Sequence, residues 1–276
     1  MASQKLFREY IGAGREHVRL SDVPIVENVD FHFILAFAID YTKTPPHKPT
    51  DGIFDAFFFN EYITAKDVAD LKDRHPKVKV ALSLGGAEIP HGGTQTAVSF
   101  APSSVDTWVN NAVSSLTSMI KNYHIDGIDI NYESFQTSTD MFAECIGRLI
   151  TTLKTNGVIS FASIAPYKWT NNFYQALWPR YEDFIDYVNY QFYAVDANAN
   201  EQTYLDDYNA ERRTYGTKLL AGLASGTANA ISPDVAIRAC RTLRNEGKLL
   251  GIFIWSANNS RAGRFTFEHQ AQNILA

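Results

Sequence analysis

The 276-residue sequence predicts an α/β protein, a single (β/α)8 TIM barrel in one domain over residues 1–276, and three observations point there. Eight apolar runs of strand length recur along the chain, and helical patterns stand between them. The length suits one large core. The stretch Asp126 to Glu133 reads as a buried strand with polar residues at every second position, a pattern suited to the inside of a barrel.

Strands are expected at Leu6 to Ile11, Phe31 to Ile39, Val78 to Leu84, Gly127 to Tyr132, Val158 to Ala165, Tyr187 to Phe192, Leu219 to Leu223 and Gly251 to Trp255. The clearest helix covers Ser104 to Asn122. There Val105, Trp108, Val109, Ala112, Val113, Leu116 and Ile120 recur at three and four residues, behind a capping box expected from Ser103 and Asp106. A second runs from Asp140 to Lys154 and stops before Gly157. A third begins at Ser232-Pro233-Asp234, a cap with proline at the first helical position, and stops at Gly247.

Irregular stretches follow several strands and should form the rim of the barrel's C-terminal face. Tyr41 to Thr50 carries three prolines and cannot pair as a central strand, while Gly85 to Thr94 is rich in glycine. Pro166 to Asn172 and Val195 to Asn200 occupy the same place after their strands. Trp169, in the first of these two, fits either a sugar-stacking platform or a rim anchor.

Bulk properties exclude several functions. A net charge of −5 and a pI near 5.8 argue against a nucleic-acid partner, since such binding relies on clustered Lys and Arg that neutralise phosphates. A neutral polymer fits better. No run approaches a membrane span, and Met1 to Tyr10 lacks the order of a secretory signal. The histidines are scattered without zinc-site spacing, so neither a metal nor a cofactor is expected. Cys145 and Cys240 fall on apolar helical stripes and read as buried thiols, with a disulfide between them left open.

In an extended Gly127 to Tyr132, the side chains of Asp129, Asn131 and Glu133 share one face and those of Ile128, Ile130 and Tyr132 the other. In a parallel barrel both faces are covered. An inward acidic row is then costly unless its members share protons or hydrogen bonds, and chains keep such rows mainly where chemistry needs them.

The stretch Asp126 to Glu133 resembles the D-x-x-D-x-D-x-E signature of glycoside hydrolase family 18, the chitinase family, with Asn131 where the third aspartate would stand. The resemblance extends to Tyr10-Ile11-Gly12, Leu35-Ala36-Phe37, Ser83-Leu84-Gly85-Gly86, Gln191-Phe192-Tyr193 and Gly251-Ile252-Phe253-Ile254-Trp255, in the family's order. Within the family the chain is most similar to the bulb-type plant chitinases, with narbonin-type storage proteins as a related branch.

The resemblance implies endo-acting, retaining, substrate-assisted hydrolysis of β-1,4-linked N-acetylglucosamine polymers. In that scheme one acid suffices, because the substrate's own acetamido oxygen attacks the anomeric carbon. It makes Glu133 the general acid, kept protonated by burial beside Asp129. Tyr193 is implied to hold the attacking acetamido group and Trp255 to floor the reacting subsite, with Tyr10, Phe37, Gly86 and Gln191 lining it. Asn131 retains a hydrogen-bond acceptor but loses a charge, which predicts a slow enzyme. The implied partner is chitin or a chito-oligosaccharide, the protein a monomer, the setting secreted or vacuolar, and the role plant defence. A chitin-binding lectin and a storage protein on the same scaffold stand as alternatives.

Overall fold

The computed structural model describes residues 5–14, 16–91, 94–194 and 196–276. Eight parallel strands form the barrel: β1 (Leu6–Ile11), β2 (Asp30–Ile39), β3 (Lys79–Gly86), β4 (Gly127–Tyr132), β5 (Phe161–Ile164), β6 (Tyr187–Asn189), β7 (Leu219–Ala224) and β8 (Gly251–Trp255). Each pairs with the next, and β8 pairs with β1, so no edge is left open.

Around this barrel lie α1 (Ala65–Arg74), α2 (Val105–Asn122), α3 (Thr139–Thr155), α4 (Asn171–Tyr181), α5 (Glu201–Tyr215), α6 (Pro233–Asn245), the short α7 (Ala257–Ser260) and α8 (Thr266–Leu275). The expected (β/α)8 barrel is therefore the observed one.

Two apolar clusters follow from strand alternation. Leu6, Tyr10, Ile34, Ala81, Phe161, Leu220 and Phe253 pack inside the barrel, while Phe7, Ile11, Ile128, Ile130 and Tyr132 face outward into the layer shared with the helices. Ile128 and Ile130 are both fully buried, and each such side chain contributes on the order of 1.5–3 kcal/mol.

Several boundaries differ from the sequence reading, each for a local reason. The α2 cap is Ser104, whose side chain accepts the Thr107 N–H at 3.2 Å. Ser103 is instead bound to Asp51, with its N–H donating to Oδ1 at 2.8 Å and its hydroxyl to Oδ2, so the capping box expected from Ser103 and Asp106 does not form. Ser232 precedes Pro233 but makes no capping side-chain bond. β5 starts later than expected because the Val158 N–H is drawn back to the Leu153 carbonyl at 2.9 Å. β6 ends at Asn189 because the chain turns, with the Ala194 N–H donating to the Gln191 carbonyl at 3.1 Å. Part of the glycine-rich rim stretch is ordered as a two-stranded antiparallel hairpin, Glu88–His91 with Thr94–Ala97, and its Gly92 and Gly93 lie outside the described residues. Val195, at the start of another expected rim loop, also lies outside them.

Cys145 and Cys240 are both buried and unpaired, and burial pushes each thiol up to about 12. Among the described residues no helix is long and apolar enough to cross a membrane.

Glu9 points outward from β1 against Glu268 of α8, and both side chains are fully buried. None of their four carboxylate oxygens has a hydrogen-bond partner of ordinary geometry, although Ser260 and the Ala257 backbone approach. Burial, reinforced by Glu268, holds Glu9 well above the usual carboxylate range, and burial lifts Glu268 to about 7. A carboxyl raised in the folded state stabilises fully below its unfolded value near 4.5, and that contribution is lost as pH rises through the folded value. For Glu268 alone the loss should reach about 3 kcal/mol above pH 7. Thermal unfolding from pH 5 to 9 should show the parent losing more stability than Glu268→Gln. Parallel curves would show that the pair does not titrate as described.

Candidate active site

β4 places the acid row as its alternation requires. Asp129 and Asn131 point into the barrel, fully and nearly fully buried, and Glu133 follows the last strand residue at the C-terminal end, partly exposed. That end is where barrel enzymes assemble their chemistry.

Asp129 is fully buried, and both of its carboxyl oxygens are engaged by side-chain donors. Its Oδ2 accepts from the Tyr10 hydroxyl at 2.8 Å and the Ser83 hydroxyl at 2.8 Å, and its Oδ1 from the Ser163 hydroxyl at 2.6 Å and Asn189 Nδ2 at 3.1 Å. Four donors from four other strands take the place of solvent around this buried carboxyl group. Asn189 Nδ2 also contacts the Tyr10 oxygen at 3.1 Å.

One link further along, Asn131 Oδ1 accepts from Gln191 Nε2 at 3.2 Å, and the same amide nitrogen donates to the Ala165 carbonyl at 3.0 Å. The Asn131 carbonyl oxygen thus keeps a lone pair for another donor.

Glu133 is raised to about 7, chiefly by burial; Gln191 beside it lowers the value in part and Glu88 raises it. This corrects one expectation: Asp129, saturated by its four donors, is not what keeps Glu133 protonated. Glu88 sits on the rim hairpin, anchored by Gln95 Nε2 at 2.6 Å. Tyr193 is 7% exposed, and its hydroxyl is held well above its usual value by burial and then by Glu133 and Asp129, so it stays a donor at all working pH values.

The aromatic members form one layer. Trp255 stacks on Phe37 with ring centres 5.7 Å apart and meets Tyr10 edge-on at 5.4 Å. Phe253 links Tyr10 and Tyr193 edge-on at 6.0 and 6.1 Å. Gly86 has φ +87°, and a Cβ there would come within 2.8 Å of the Phe37 ring, so its part is to leave space for that ring. The peptide bonds Ala36-Phe37 and Trp255-Ser256 are cis. Trp169 stands 72% exposed with Lys168 Nζ 5.3 Å from its ring centre, which excludes the packed rim anchor.

The sequence reading missed Ser83, Ser163, Asn189, Glu88 and Tyr167, the last half-buried and close enough to Glu133 to feel its charge. Ser83 lay inside a quoted motif; the others carry no local signal. Among the described residues no Lys or Arg pairs with Glu133, and no cluster of three or more His, Cys, Asp or Glu is placed to hold a metal. Two surface cavities, of about 380 and 170 Å³, lie away from this row.

A parallel barrel with a carboxyl raised by burial and a tyrosine that keeps its proton at the C-terminal mouth has the parts of the (β/α)8 class whose loops carry acid-base chemistry. Residues 24–229 match the model of the glycosyl hydrolases family 18, and the chain belongs to that family. It is 48% identical to Chitinase 1 of Tulipa saxatilis subsp. bakeri over 282 aligned residues, covering 100% of this chain and 88% of the tulip protein. It is 31% identical to the RuBisCO-associated protein of Glycine max over 67% of this chain and 64% of that one.

Among solved structures, the catalytic domain of a family GH18 chitinase from the fern Peteris ryukyuensis superposes with a TM-score of 0.93 at 46% identity, covering 98% of this chain and 99% of that chain. The family 18 chitinase from Crocus vernus gives 0.92 at 43%, with the same coverage.

Proposed function

We propose that this glycosidase-family protein is an endo-acting chitinase whose turnover is attenuated at Asn131. The observation that carries the reading is the placement of Glu133, a carboxyl raised to about 7 by burial at the C-terminal end of β4, beside Tyr193 and Gln191. A proton is therefore available for donation near neutrality.

In the proposed reaction, Glu133 protonates the glycosidic oxygen as the bond to the anomeric carbon breaks, and the acetamido carbonyl oxygen of the same sugar attacks that carbon. An oxazolinium intermediate results. Water then attacks the anomeric carbon while the Glu133 carboxylate takes its proton, which restores the acid and retains the configuration. Tyr193 would donate to the acetamido oxygen, the free lone pair of Asn131 would receive the acetamido N–H, and Trp255 would underlie the sugar ring. Asp129, fixed by its donors, orients rather than reacts. The substrate is chitin or a chito-oligosaccharide, and the protein that acts on it is a monomer, secreted or vacuolar, with a part in plant defence.

A second reading, a sugar-binding or storage protein, is favoured by Asn131 and by the soybean relative, whose name denotes no hydrolase. Prolonged incubation with chitotetraose and with its fully deacetylated counterpart, followed by mass spectrometry, separates the two. Cleavage of the acetylated tetramer alone is expected. Binding without cleavage would support the sugar-binding reading, and neither binding nor cleavage the storage one.

A further inference from the structure

A cavity of about 170 Å³ opens at the end of the barrel opposite Glu133, and the chemistry above makes no use of it. Its lining residues, Leu6, Asp30, His32, Lys77, Lys79 and Tyr187, lie at or near the starts of barrel strands. In a (β/α)8 barrel this N-terminal face normally serves stability.

Charge is unbalanced there. Lys77 and Lys79 are exposed and share the lining with one acid, Asp30, and among the described residues none of the three forms an ion pair. A third cation stands behind them. The register of β1, β2 and β3 pairs Arg8 with His32 and His32 with Lys79, so three basic side chains form one row across adjacent strands.

Arg8 is fully buried; its NH1 donates to Asn189 Oδ1 at 2.9 Å, while Nε and NH2 have no partner. Its guanidinium carbon lies 5.2 Å from the ring centre of Tyr187, a cavity residue. His32 also lines the cavity, is 4% exposed, and has no partner for Nδ1. Burial, with Arg8 and Lys79, holds the imidazole well below its ordinary value, so it enters the row neutral with one N–H to donate. Unpaired buried donors are costly; His32 lines a space rimmed by two ammonium groups, and Arg8 packs on Tyr187 of the same lining.

We propose that this cavity binds a small tetrahedral oxyanion, inorganic phosphate being the type, between Lys77 and Lys79 with the His32 N–H and the Arg8 charge behind. Ammonium and guanidinium donors give charge-assisted bonds to phosphate oxygens, and the ion places a negative charge near Arg8, whose NH1 bonds to the neutral amide of Asn189. The volume suits one such ion with a few waters, each occupying about 30 Å³ in the liquid. It is too small for a polymer.

The test is calorimetric titration of the full chain with sodium phosphate at pH 7 against constant ionic strength set by chloride, beside thermal unfolding in the same solutions. Phosphate stabilises folded proteins generally by exclusion, so the readout is saturation and its dependence on the cavity residues. The parent should bind one phosphate saturably. Lys77→Ala combined with Lys79→Ala, both on exposed side chains, should weaken that binding at least about tenfold, and Asp30→Asn should tighten it several-fold. No saturable heat in the parent, or equal stabilisation by phosphate in the parent and the double variant, would show exclusion alone and overturn the assignment.

Discussion

Glu133→Gln is expected to lower turnover of chitotetraose by about 10²–10⁴-fold, the usual share of general acid catalysis, while binding of the tetramer changes little. The amide preserves the shape of the side chain and its contact with Gln191 but has no proton acidic enough to give to a leaving oxygen. Folding should not suffer. The Glu133 carboxyl is raised to about 7 chiefly by burial, so the ionised form is disfavoured in the folded state, and at pH 8 the neutral amide removes that cost. Thermal unfolding at pH 8 should therefore place the variant level with the parent or above it. Loss of activity together with collapse of stability would mean that Glu133 is a structural residue.

Asn131→Asp should act in the other direction and raise turnover at least about tenfold, since a preorganised negative charge facing the developing oxazolinium cation is worth a few kcal/mol in the transition state. The change is nearly isosteric, and the Gln191 amide that now donates to Asn131 at 3.2 Å can donate to a carboxylate in the same place. The new charge also stands beside Glu133 and should raise its value further, moving the alkaline fall in activity to higher pH. Stability should fall slightly, because a third carboxyl group joins Asp129 and Glu133 in a nearly closed row. Steady-state rates on chitotetraose for both forms check the claim. A variant that binds the tetramer but remains as slow as the parent would show that the missing charge is not what limits this site.

What the sequence showed directly was whatever depends on period and order. Alternation in Gly127 to Tyr132 placed Asp129 and Asn131 on the inner face and Ile128 and Ile130 on the outer one, because side-chain direction in a strand is fixed locally. The eight apolar runs likewise gave the barrel, since parallel strands between helices have few other ways to close.

What remained hidden depends on which residues meet through space. Ser163, Asn189 and Tyr10 come from three different strands to hold Asp129, and no local pattern marks Ser163 or Asn189 for that duty. Sequence adjacency suggested that Asp129 raises Glu133; the structure assigns the rise to burial, with Glu88 of the rim hairpin as the nearby acid. Arg8 and Glu9 show the same limit. Their strand was legible, yet only the packed molecule reveals that the first faces the barrel interior and the second meets Glu268 beneath α8.

The most direct measurement of the central claim, that Glu133 is a proton donor kept neutral by burial, is the pH dependence of chitotetraose turnover by the parent chain from pH 4 to 9. Activity should fall as pH rises through about 7, as the Glu133 proton is lost, and the trace of activity in Glu133→Gln should lack that step. Turnover that holds level or climbs through pH 7, or that persists at the parent rate without the carboxyl, would contradict it.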